Sequence, residues 1–169
     1  MDNTVILLCS IIALLLAGFL AYIFWQQRKE VPVQEKISTN SGTHQLQLQA
    51  YERLTLLVDR IALPNLISRL SQPGLSAREM QMVITQNIRQ EFEYNITQQI
   101  YVSAEAWTAI KNLKDQNMLI VNQLASTMPA NATGMDLNKQ VLQYLMNDPK
   151  GNLHEVVSDV LSYEAKKIL

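Results

Sequence analysis

Residues 76–92 read SAREMQMVITQNIRQEF, and this stretch decides the fold. Met80, Val83, Ile84, Ile88 and Phe92 recur three and four residues apart, which places them on one face of a 3.6-residue helix. Ser76 with Glu79 three residues on is a capping-box pair, in which hydroxyl and carboxylate satisfy reciprocal backbone donors. The same spacing runs on through Ile96 and Ile100, so the periodicity puts both on the apolar side of this helix.

Working outward, Gln72-Pro73-Gly74 is a break before the helix. Ahead of it, Ala50, Leu54, Leu57, Val58 and Ile61 define a first helix from about Leu46 to Ile61. Pro64 follows, and Asn65 to Leu70 adds a short turn. Downstream, Ser103 offers a cap for a third helix carrying Ala106, Ile110, Leu113, Ile120, Leu124 and Met128. Pro129 and Gly134 bound a loop, and Asp136 to Met146 makes a fourth helix. Asp148, Pro149 and Gly151 punctuate again, and Asn152 with Glu155 opens a last helix with Leu153, Val157, Val160, Leu161 and Ile168. Lys166 and Lys167 in its final turn suit the helix dipole. Strand signals are nearly absent, and there is no internal repeat. The expected fold is all-α, a small helical bundle over 45–169.

The N-terminal residues have a different composition. Residues 4–25, TVILLCSIIALLLAGFLAYIFW, carry no charge, and the flanking charges are Asp2 and Arg28. At 1.5 Å per residue the run reaches about 33 Å, enough for the roughly 30 Å hydrocarbon core. It lacks the basic start and small-residue cleavage site of a signal peptide. The lipoprotein reading of Cys9 fails for similar reasons. Residues 1–29 are therefore expected to be a single transmembrane anchor. Arg28 and Lys29 follow the run and no Lys or Arg precedes it, which predicts a periplasmic N-terminus and a cytoplasmic C-terminal domain. Tyr22 and Trp25 suit the headgroup level. Ser10, Ala13, Ala17 and Ala21, with Gly18 beside them, share one helix face where a second helix could approach closely in lipid. Residues 30–44, with Pro32 and the run Ser38 to Thr43, read as a flexible linker.

Composition excludes several function classes. The net charge of −1 gives no footprint for nucleic acid. One cysteine excludes a disulfide scaffold and a cysteine-based zinc site. His44 and His154 are the two histidines, and Val156-Val157-Ser158 after His154-Glu155 supplies no second ligand one turn on. Phosphate loops, nucleophile elbows and dinucleotide fingerprints do not occur. The sequence thus predicts no catalytic, cofactor or metal residue and no small-molecule substrate.

One polar constellation stands out. Asn87, Glu91, Asn95 and Gln98 form a stripe beside Ile84, Ile88 and Phe92, while Arg53 and Arg60 share a flank of the first helix. If the two helices pack antiparallel, an Arg53–Glu91 pair bordered by Asn95 would fix their register.

The segments Gln49-Ala50-Tyr51-Glu52-Arg53-Leu54-Thr55 and Gln90-Glu91-Phe92-Glu93-Tyr94-Asn95, continuing through Gln98-Gln99-Ile100-Tyr101 to Trp107, resemble an uncharacterised family of small single-pass membrane-anchored proteins from Bacteroidetes. The resemblance covers the anchor through the third helix and stops near Pro129. It implies a bacterial inner-membrane protein with a helical cytoplasmic domain, and carries over no activity or cofactor.

The expected function is an interaction module, a scaffold or accessory subunit of an inner-membrane complex, with the lipid bilayer and a protein partner or a second copy as its contacts. The alternatives are a periplasm-facing helical domain of an envelope assembly, and an enzyme built on the polar cluster around Glu91.

Overall fold

The computed structural model describes Tyr22, residues 34–147 and residues 153–169. The apolar run 4–25, Tyr22 apart, lies outside them, as do Ser10, Ala13, Ala17, Gly18, Ala21, Asp148 and Asn152. Among the described residues, no helix is long and apolar enough to cross a membrane.

The described chain is all-α. Helix α1 spans Gln34–Ile61, α2 Leu63–Leu70, α3 Ala77–Tyr94, α4 Ala104–Ser126, α5 Gly134–Asn147 and α6 Leu153–Lys166. A 3₁₀ turn, Ile96–Ile100, joins α3 to the loop before α4. Contacts divide the chain into units 1–43 and 44–169. Helix α1 takes in most of the stretch 30–44 that was expected to be an irregular linker. Gln34, Glu35 and Lys36 are good helix formers, Pro32 precedes the helix, and Gly42 costs it only about 1 kcal/mol.

Residues 44–169 bury two apolar clusters. In one, Leu63, Leu66 and Ile67 of α2 pack with Met80, Ile84 and Ile88 of α3, Ile120 and Val121 of α4, and Leu137 and Val141 of α5. In the other, Tyr51, Leu54, Leu57, Val58 and Ile61 of α1 pack with Ala106, Trp107, Ile110 and Leu113 of α4, and Val157 and Leu161 of α6. Helix α4 is the shared element: its first half serves one cluster and its second half the other. Asn117 sits between them, 6% exposed, and its Nδ2 donates to the Ile61 carbonyl at 2.8 Å. That bond satisfies an acceptor that the end of α1 would otherwise leave buried and unpaired.

The boundaries follow local chemistry. Ser76 and Glu79 form the expected capping box, with the Ser76 amide donating to Glu79 Oε2 at 2.8 Å. Thr133 and Asp136 do the same for α5, with the Thr133 amide donating to Asp136 Oδ2 at 2.9 Å. These two helix starts lie side by side, tied by Ala77 N–H to Ala132 O at 2.9 Å and Gly134 N–H to Leu75 O at 2.7 Å. Gly134 opens α5 instead of bounding a loop, because a Cβ there would lie 3.0 Å from Met80 Cβ and 3.2 Å from the Leu75 carbonyl.

One expectation is corrected. Helix α3 stops at Tyr94 and does not run on to Ile100. The Asn95 side chain turns back, its Nδ2 donating to the Glu91 carbonyl at 2.8 Å, the side-chain competition that makes Asn a helix terminator. Ile96 and Ile100 consequently leave the apolar face and stand 43% and 73% exposed.

Candidate functional site

Helices α1 and α3 enclose an open groove of about 530 Å³, lined by Arg53, Leu56, Leu57, Arg60, Gln90, Glu91, Tyr94 and Asn95. Leu57 forms part of its floor and is fully buried, whereas Leu56 and Tyr94 are 57% and 74% exposed. The groove exists because each helix turns its flank, not its apolar centre, toward the other.

Glu91 is the polar hub. Its side chain is 15% exposed, and Oε1 accepts from Arg60 Nε at 2.8 Å and from Arg60 Nη2. Donating to Glu91, and then the charge of that carboxylate, raises the Arg60 pKa above the ordinary arginine value. Arg69 of α2 lies 3.9 Å from the same oxygen and donates to Asn87 Oδ1 and to the Arg60 carbonyl, both at 3.3 Å. One carboxylate therefore faces two guanidiniums, and the local balance is positive.

The sequence reading brought Arg53, Arg60, Asn87, Glu91, Asn95 and Gln98 together; the structure sorts them. Arg60, Asn87 and Glu91 meet, with Arg69 added. Asn95 is 6% exposed and closes α3. The expected Arg53–Glu91 pair is replaced by Arg60–Glu91. Arg53 instead stands over the Tyr94 ring, 5.7 Å from its centroid. Gln98 turns aside to Thr97, its Nε2 3.4 Å from Oγ1. The helices do pair antiparallel, but Glu91 falls opposite the later arginine, two helical turns or about 10.5 Å along α1 from the earlier one.

A second polar cluster escaped the sequence reading. Tyr51, 4% exposed, donates from its hydroxyl to Glu164 Oε2 at 2.6 Å. Ser103 Oγ lies 2.7 Å from the same oxygen and accepts from the Ala106 amide at 3.0 Å as the cap of α4. The Ser103 amide donates to Tyr51 Oη at 3.3 Å. Burial, then the bond to Glu164, raises the Tyr51 pKa above its ordinary 10.0. The available signal was Tyr51 itself: it shares a face with Leu54 and Val58, and a buried tyrosine hydroxyl requires a partner.

In chemical terms the groove offers a guanidinium–carboxylate hub, a guanidinium-capped aromatic ring and an aliphatic floor. Glu91 is committed to Arg60, the hydroxyl of the lining is the Tyr94 phenol, and no thiol or imidazole lines it. His154 lies elsewhere, in a groove between α1 and α6 with Glu52, Asp59, Glu155 and Asp159. Among the described residues, no three His, Cys, Asp or Glu side chains converge as metal ligands would.

The model of a family of unknown function (DUF7935) matches residues 1–168, including the segment beyond Pro129 that the resemblance did not reach. No curated protein and no solved structure matches the chain.

Proposed function

The chain belongs to that family of unknown function, and from that premise we propose that it is a membrane-tethered helical interaction module, a scaffold or accessory subunit of an inner-membrane complex. The α1–α3 groove is its contact face. The observation that carries this reading is the composition of the groove: exposed Tyr94 and Leu56 flanked by Arg53 and Arg60. Tyr and Arg are the residue types that dominate binding energy in protein interfaces. The tether reading rests on the uncharged run 4–25, and the cytoplasmic side of the domain on Arg28 and Lys29.

Site-specific photocrosslinking in the native membrane tests the groove. A photoreactive residue at Leu56 is expected to capture one discrete partner, or a second copy, and the same residue at Met82 on α3 to capture none. The added substitution Tyr94→Ala should abolish that adduct. Crosslinks that are absent, or equal at both positions, would refute the contact face. Reporter fusions at the C-terminus check the topology.

A further inference from the structure

Between Tyr51 and Ile61, α1 carries opposite charges on its two outer flanks. Helical spacing puts Arg53 and Arg60 about 40–60° to one side of Leu56, and Glu52 and Asp59 about 40–60° to the other. All four charged residues are exposed. The arginines edge the groove against α3. The acids edge the groove against α6, where Glu155 and Asp159 add two more carboxylates. Among the described residues that line this second groove, none is Lys or Arg. Leu56 lines both grooves and is the crest between them, 57% exposed.

We infer that the occupant of the contact face is a second copy of this chain, its α1 laid parallel on the first with Leu56 at the two-fold axis, so that the basic groove of each copy faces the acidic groove of the other. The inference rests on the reading of the α1–α3 groove as a contact face. The charge pattern selects both the partner and its direction. Neighbouring residues differ in height by about 1.5 Å, so Glu52 and Arg53 share one level, and Asp59 and Arg60 share another two turns on. A two-fold axis along α1 carries each flank to the opposite side. It sets Arg53 against Glu52 of the second copy and Arg60 against its Asp59, and symmetry makes each pair twice. Arg60 uses Nε and Nη2 on Glu91, and its Nη1 is left to meet a second carboxylate. An antiparallel pairing would keep each flank on its own side and set arginine against arginine, a costly like-charge contact. Flanking charges fix partner and orientation in parallel helix pairs in this way. An acidic partner would suit the α3 side alone and a basic one the α6 side alone. A second copy suits both in one contact, with Leu56 meeting Leu56 at its centre.

The test uses the full chain with Cys9→Ser and one new cysteine, Gln49→Cys, Leu56→Cys or Met82→Cys, oxidised with copper phenanthroline in unfractionated cell extract. Gln49 is exposed two turns before Leu56 on the same crest. A disulfide-linked dimer is expected at both Gln49→Cys and Leu56→Cys, several-fold stronger than at Met82→Cys. Linkage at Leu56→Cys without linkage at Gln49→Cys would mean antiparallel helices and overturn the inference. Adding Glu52→Arg or Arg53→Glu to Leu56→Cys should each cut the dimer several-fold. The two variants, co-expressed with different tags, should link to each other at the parent level, because every flank is then again opposite its counter-charge. Equal yields from all these chains would overturn the charge pairing and the inference with it. The photoreactive residue at Leu56 separates this inference from the reading beneath it. Capture of a protein of another mass, with no disulfide dimer, would overturn the second copy and leave the contact face standing. Capture of nothing, with no disulfide dimer, would overturn both.

Discussion

Glu91 accepts from one guanidinium and borders a second, so its removal leaves Arg60 and Arg69 facing each other without a counter-charge. Arg60 is 45% exposed, which limits the pair to about 0.5 kcal/mol after solvent screening. A double-mutant cycle on Arg60→Met and Glu91→Gln, read by urea denaturation, is expected to return a coupling of that size. The cycle on Arg53→Met and Glu91→Gln should return zero, and the reverse ranking would refute the register. Periodicity showed that both arginines border the apolar face of α1, but a seven-residue repeat looks the same at either turn. Neither helix pattern encodes which turn meets Glu91. At Tyr51 the raised pKa means that folding favours the neutral phenol. Its contribution is complete below the ordinary value near 10 and is lost as pH rises through the raised value. Thermal melts should show Tyr51→Phe losing about 1 kcal/mol at neutral pH and showing a shallower alkaline decline than the parent. An equal decline in both would mean that the hydroxyl is not coupled to folding.

The paired starts of α3 and α5 bring a pH response at the other extreme. Glu79 is held below its ordinary 4.5 by the backbone and then the side chain of Ser76. Asp136 is held below 3.8 by the side chain and then the backbone of Thr133. Both carboxylates stabilise their helices above those ordinary values, and the contribution disappears as pH falls through the lowered ones. Glu79→Gln combined with Asp136→Asn should therefore flatten the acid limb of a circular-dichroism titration, and a limb as steep as the parent's would sink the argument. Where these starts touch, Gly134→Ala is expected to destabilise by about 1–3 kcal/mol, because a Cβ would crowd Met80 Cβ and the Leu75 carbonyl, neither of them the free end of a flexible side chain. The capping box at Ser76 was legible in the sequence because it is local: one hydroxyl, one carboxylate, three residues apart. The role of Gly134 was not, since its need comes from Met80, fifty-four residues earlier in the chain. The end of α3 was misplaced for a related reason. The apolar spacing carries through Ile96 and Ile100, and only the turn of the Asn95 side chain onto its own helix shows where the pattern stops applying.

Across the domain, the helices sort by their place in the chain. The middle ones, α2, α3 and α5, build one cluster, while α1 and α6, at either end of the domain, share the other with the first half of α4. The apolar faces of α5 and α6 were readable, but not that they serve different clusters, because an amphipathic face does not name its partner. Truncation after Asn147 is expected to expose Tyr51, Leu54, Val58 and Ile110 while leaving the α2–α3–α5 cluster covered. Hydrogen exchange should then show lost protection in α1 and the first half of α4 and retained protection in α3 and α5, whereas uniform loss would mean a single cooperative core. The closure of α1 by α6 also has a mechanical meaning. Tension applied between residue 44 and the C-terminus would fall first on the Tyr51–Ser103–Glu164 clasp, where both ends of the domain meet. The domain should therefore yield in two steps, the clasp parting while the central helices hold, so that a pull on its ends is absorbed before it reaches them.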